Sequence, residues 1–157
     1  MTLYQHDTTT ESTMTEITTT ETTMSEPAFL YVENDELSQE VMRALLTRGL
    51  GYQTLTVVET SDCFEDKLTD LDPKPDVIFL DIHMEPIDGF EMLELIHKNP
   101  DYAGTPVIAL TASVMNEEVR KLREVGFDGV IAKPLDYDTF PRILARILDG
   151  EQVWKTK

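Results

Sequence analysis

With 157 residues, 41% of them hydrophobic and 8% aromatic, the chain has the size and apolar content of one globular domain, without room for a second. Thirty acidic against thirteen basic residues leave a formal charge of -17, so the average surface repels phosphate backbones and anionic lipid, which argues against direct nucleic-acid binding. The single Cys63 excludes an internal disulfide, His6, His83 and His97 lack metal-ligand spacing, and no apolar stretch is long enough to span a bilayer. The N-terminus has neither a basic n-region nor an apolar h-region, so the expectation is a soluble, cytoplasmic protein without membrane insertion.

Residues 1–26 form a Thr/Glu-rich extension in which TTTESTM returns as TTTETTM, with five acids and no Lys or Arg. Such a segment has too few apolar side chains to offset the entropy of ordering, and disorder is expected there. AFLYV from residue 28 then reads as a buried strand, and ELSQEVMRALLTRG as a helix closing on Gly49. YQTLTVV from 52 and SDCFEDKL form the second strand and helix, VIFL from 77 and GFEMLELIHK the third. PVIAL from 106 precedes NEEVRKLREVG, which closes on Gly126. GVIA from 129 precedes DTFPRILARIL, where Pro141 is tolerated only in the first turn. This alternation predicts right-handed crossovers and an α/β fold, a doubly wound, mainly parallel sheet covered on both faces. The folded domain is read as 27–149, with 150–157 left as a C-terminal tail.

In an open parallel sheet the strand C-termini share one edge, and ligands bind there at the topological switch point. VENDE follows the first strand, Asp81 the third, Thr111 the fourth and Lys133 the fifth. Polar residues often do no more than begin a loop, and Glu59 after the second strand has that reading. A lysine hard against an apolar strand, however, needs a partner. The set offers Asp81 as a nucleophile, Lys133 and Thr111 to hold phosphoryl oxygens, and Glu33 to hold a divalent ion. Crowded carboxylates resist joint ionisation unless a cation is present, and hard oxygen ligands favour Mg²⁺.

The stretches LYVEN, FLDIHMEPIDGFE, VIALTAS and IAKPL stand in the order and spacing of a known family. From Ala28 to about Asp149 the chain resembles the receiver domain of bacterial response regulators. The resemblance implies a flavodoxin-like fold of five parallel strands in the order 2-1-3-4-5. It implies that Asp81 accepts a phosphoryl group from a sensor histidine kinase or phosphotransfer protein. Lys133 would then neutralise one phosphoryl oxygen and Thr111 hydrogen-bond another, while Mg²⁺ bridges Glu33, Asp81 and the backbone carbonyl of His83. A cis Lys133–Pro134 bond is implied as well.

The chain departs from the family at three places. Two adjacent acids usually follow the first strand, whereas Glu33 is followed here by Asn34, with Asp35 one place late. Asn34 would offer the metal an amide oxygen in place of a carboxylate, which weakens binding, and Asp35 is read as an N-cap or first-turn acid. The position often held by a state-reporting aromatic is Val130, which leaves the loop after Thr111 as the lever of signalling. The loop beside Asp81 carries its proline at Pro86, after Glu85.

The leading reading is a stand-alone, phosphorylation-controlled switch that catalyses its own phosphoryl transfer without being a turnover enzyme. Its output would be a downstream protein target bound at the fourth helix, fifth strand and fifth helix, with a homodimer left open. The alternative is a pseudo-receiver, a binding module that is not phosphorylated, which Asn34 and Val130 favour. A nucleotide-binding enzyme is disfavoured, because VENDELSQE places carboxylates where a phosphate nest needs bare N–H groups and offers no GxGxxG.

Overall fold

The computed structural model describes residues 26–154; the rest of the N-terminal extension lies outside the described residues. Five strands, β1 (Ala28–Val32), β2 (Thr54–Val58), β3 (Val77–Asp81), β4 (Val107–Thr111) and β5 (Gly129–Ala132), pair in parallel in the order β2-β1-β3-β4-β5. Five helices alternate with them: α1 (Glu36–Arg43), α2 (Phe64–Asp70), α3 (Gly89–Lys98), α4 (Asn116–Val125) and α5 (Phe140–Leu148). The fold is the doubly wound α/β sheet that the alternation predicts, with the flavodoxin-like strand order that the resemblance implies.

Two apolar layers hold the sheet. Leu30, Ile78, Leu80 and Ala109 face one way and pack with Phe64, Met92, Ile96 and Leu122, while Phe29, Phe79, Ile108 and Leu110 face the other and pack with Met42, Leu46, Phe140 and Leu144. The period of two along each strand thus feeds both layers, which is why β1, β3 and β4 read as unbroken apolar runs. β2 differs, being only half-buried, because it lies at the sheet edge where one flank has no neighbouring strand.

Several element ends depart from the sequence reading. The first helix ends at Gly49, as expected, but not as a regular α-helix. It widens after Arg43 into π-helical turns over Ala44–Gly49, with Leu50 N–H donating to Leu45 O at 3.0 Å, and the chain reverses at Gly51, where φ is 83°. The second helix starts at Phe64 because Cys63 is left-handed, with φ 55°, leaving Ser61–Cys63 in the loop. A short 3-10 turn, Pro100–Tyr102, has no counterpart in the sequence reading. It brings Tyr102 Oη to the Leu68 carbonyl at 2.6 Å, and Lys74 Nζ donates to the carbonyls of Leu68, Thr69 and Leu71, so the open end of α2 is satisfied by side chains. Pro141 lies in the first turn of α5, where it is tolerated. The bonds Asp72–Pro73, Glu85–Pro86 and Lys133–Pro134 are cis.

The largest correction concerns the C-terminal tail. Val153 is fully buried and bridges Gly129 in parallel, so the packed unit continues past Asp149 to Trp154. Two adjacent apolar residues, Val153 and Trp154, in EQVWKTK are too few for any periodicity to register in the sequence.

Asp35 caps α1, accepting from Ser38 N at 2.9 Å and Ser38 Oγ at 2.8 Å, and these two bonds hold its carboxyl below the usual range. Asp35→Ala should therefore lower unfolding stability, read as a lower midpoint with unchanged slope in urea denaturation.

Candidate functional site

The C-terminal edge of the sheet is built by register. Val32 pairs with Leu80, Asp81 with Leu110 and Thr111 with Ala132, so the residues that leave β1, β3, β4 and β5 emerge side by side. The ladder continues just past the strand ends: Glu33 N–H donates to Val58 O at 2.9 Å and Lys133 N–H to Thr111 O at 2.8 Å. The backbones carrying Glu33, Asp81, Thr111 and Lys133 are therefore held before any side chain interacts.

Lys133 lies between two buried carboxylates. Its Nζ is 2.9 Å from Glu33 Oε1 and 3.7 Å from Asp81 Oδ1, with the side chains of Glu33 and Asp81 only 1% and 8% exposed. Glu33 is the more tightly fixed carboxylate. Tyr31 Oη also donates to Oε1 at 2.9 Å, Asp35 N–H donates to Oε2 at 3.1 Å, and Gln39 Nε2 holds the Glu33 carbonyl at 2.6 Å. Asp81 has less support, one N–H from His83 at 3.3 Å. Burial, and then the negative charge of Glu33, raise its pKa, against the opposing pull of Lys133 and the His83 N–H. Burial and Glu33 likewise push the Tyr31 phenol far up, so it remains a neutral donor.

The edge thus unites four of the residues singled out in the sequence: Glu33, Asp81, Thr111 and Lys133. Thr111 is buried and its Oγ1 accepts from Ser113 N–H at 3.2 Å, which leaves its own proton for another acceptor. Asn34 and His83 are exposed at the rim; His83 contributes through its backbone. Sequence reasoning missed Tyr31, Gln39 and Ser61. Tyr31 was detectable, since residues two apart on an extended chain share a face and Glu33 follows it at that spacing. Gln39, buried beside Met42 on α1, and Ser61, a fully buried hydroxyl accepting from Ile87 N–H at 2.8 Å, carry no such signal. Val130 is buried in the core.

The donors suit a hard divalent cation: two buried carboxylates share a single ammonium, and the raised Asp81 pKa marks a place short of positive charge. Among the described residues, no cluster of three or more acidic, His or Cys side chains forms a fuller metal cage.

Comparison with known proteins agrees with this geometry. The family described as the response regulator receiver domain matches residues 29–145. The chain is 37% identical over 78 residues to the signal transduction histidine-protein kinase BarA of Escherichia coli, covering 50% of this chain but 8% of that protein. It therefore spans only a small part of that relative's length. It is 28% identical to the polar-differentiation response regulator DivK of Brucella anthropi, covering 71% of this chain and 87% of that one. The receiver domain of the sensor histidine kinase PA1611 of Pseudomonas aeruginosa, solved with a magnesium ion coordinated in its active-site cleft, superposes with a TM-score of 0.66 at 27% identity, covering 78% of this chain and 97% of that one. The match over most of the folded residues, on a sheet of the same order, places this chain in the response regulator receiver domain family.

Proposed function

We propose that the chain is a phosphorylation-controlled switch in which Asp81 takes a phosphoryl group from the phosphohistidine of a sensor histidine kinase or phosphotransfer protein. One observation carries the reading: a buried carboxylate at the end of a central strand lies 3.7 Å from a lysine ammonium, with the Thr111 hydroxyl on the neighbouring strand. An oxygen of Asp81 attacks phosphorus, the bond from phosphorus to the imidazole nitrogen breaks, and an acyl phosphate forms as the imidazole leaves with its electron pair. β3 holds the attacking oxygen in place, and positioning with charge stabilisation accounts for most of the catalysis in this chemistry. Lys133 exchanges part of its pairing with Glu33 for a phosphoryl oxygen, and Thr111 donates to another. Glu33, Asp81 and the His83 carbonyl, with the amide of Asn34, would hold Mg²⁺, which supplies positive charge to the phosphoryl oxygens when bound. The Tyr31 hydroxyl stays on Glu33 Oε1 while Lys133 moves, so the buried carboxylate is never without a donor. Output passes through contact with a downstream protein.

A second reading, a binding module that is never phosphorylated, draws support from the tighter pairing of Lys133 with Glu33 than with Asp81. Acetyl phosphate with Mg²⁺ separates the two. Intact mass should show one added phosphoryl group on the wild type and none on Asp81→Asn. Equal modification of both proteins would remove Asp81 from the mechanism, and modification of neither would favour the second reading.

Asn34→Asp adds a carboxylate at the rim and should tighten Mg²⁺ binding by about tenfold in calorimetric titration. Asp35→Ala should leave that affinity nearly unchanged, since Asp35 serves α1.

The raised pKa of Asp81 also fixes a pH dependence. The folded state protonates this carboxyl more readily than the unfolded chain does, so stability falls as pH rises from the ordinary value of 3.8 through the raised one. Asp81→Asn should accordingly raise Tm by a few degrees at neutral pH without metal. That gain should shrink towards zero below the ordinary carboxylate range, as followed by thermal melts across pH.

A further inference from the structure

β5 is the last named strand of the sheet, and an edge strand presents unpaired N–H and C=O groups on its outer side. Here the C-terminal segment covers that side. Val130 N–H donates to Val153 O at 2.8 Å, Val153 N–H reaches Asp128 O at 3.4 Å, and Val153 lies parallel beside Gly129. Gly129 is what admits the segment: a Cβ there would stand 2.7 Å from both Cγ2 and O of Val153 and 3.2 Å from its N, and these are the three nearest atoms it would meet. The Val153 side chain is fully buried in the layer that contains Val77, Ile108, Ile131 and Ile147. Trp154 turns to the opposite layer, and the guanidinium of Arg123 on α4 lies 4.8 Å from its ring centroid.

We propose that the outer edge of β5 is a strand-addition surface for an extended segment with a β-branched residue facing Gly129 and an aromatic residue beside Arg123, and that residues 151–154 are its displaceable internal occupant. The main-chain groups of β5 supply the affinity in this mode of recognition, and the side-chain slots supply the selectivity. The occupant is thinly held. It has one good ladder bond and one at the weak limit of length, and Gly150, with φ 92°, links it to the end of α5. Among the described residues, its ion pair of Glu151 with Arg146 at 2.9 Å is about half exposed. Opening this segment exposes Val153 and the packed face of Trp154 and frees the N–H groups of Val130 and Val153, still a small event beside the unfolding of a sheet buried on both faces. While it is closed, the edge is shielded from pairing with a second copy of the chain; once open, the edge receives the extended segment of a partner.

Amide hydrogen exchange on the intact protein tests the occupant. The Val130 amide should exchange at least about a hundredfold faster than the Ile78 amide, which is bonded to Pro106 O inside the sheet. Equal rates would make Val153 a fixed extension of the sheet and overturn the proposal. Val130 protection that rises with protein concentration would assign the occupant to a second copy and overturn the internal assignment. In the full chain, Gly129→Ala places a methyl first against Val153 and should speed Val130 exchange by about tenfold more, with Ile78 unaffected. Binding tests the surface. A labelled nonapeptide with the sequence of residues 149–157 should bind Val153→Asp, whose slot is vacated, and fail to bind Gly129→Ala, whose slot is filled. With Ile78 protection verifying that both variants are folded, no binding to Val153→Asp, or equal binding to both, would overturn the surface.

Discussion

The arrangement of Lys133 between Glu33 and Asp81 is the constraint on which the rest of this domain depends. Two carboxylates, both nearly sealed from water, share one ammonium, and that ammonium is nearer to Glu33 than to Asp81. A buried pair offsets its desolvation only when geometry and further hydrogen bonds are good. Glu33 meets that condition through Tyr31, Asp35 N–H and Gln39. Asp81 does not, and its raised pKa follows from that difference. The residue with the least electrostatic support is the one that the proposed chemistry would use, so its lack of compensation leaves it dependent on an arriving cation or phosphoryl group.

The same asymmetry explains how much of the site is written in the sequence. Asp81, Thr111 and Lys133 are visible because each ends or follows an apolar strand, and a parallel sheet gathers such ends at one edge. The fold was legible for a related reason: strands buried on both faces leave runs such as VIFL and PVIAL that no surface element carries. Supporting contacts were not legible. Gln39 reaches the Glu33 carbonyl across six residues of chain, and Ser61 reaches the backbone of Ile87 across 26; neither distance leaves a periodic trace. The π-helical end of the first helix escaped because Gly49 is a familiar stop signal, whereas the left-handed turn that reverses the chain belongs to Gly51, two residues on.

Asp35 and Asn34 show how one exchange of neighbours redistributes function. Asp35 spends its carboxylate on Ser38, where its charge favours the start of α1, and its backbone N–H on Glu33 Oε2. Asn34 is left at the rim with a dipole where a charge would bind metal more strongly. The edge therefore carries two buried carboxylates against one ammonium, a smaller excess of negative charge than three acids would give. This lowers the electrostatic repulsion at the edge and would also lower the attraction of the proposed site for Mg²⁺.

β5 joins this site to the proposed strand-addition surface, since Lys133 follows its C-terminal end while Gly129 and Val130 receive Val153 at the other. The strand itself is a poor carrier of movement, because it is paired with β4 along its length and its residues are largely buried. α4 is a better one. Among its residues only Leu122 is buried, the exposed Val114 and Met115 lie in the loop that leads from Thr111 to its start, and Arg123 near its end lies against Trp154. A helix anchored by so little apolar surface shifts at low cost. Any displacement that begins where Thr111 meets a phosphoryl oxygen would reach the C-terminal segment through α4 sooner than through the sheet.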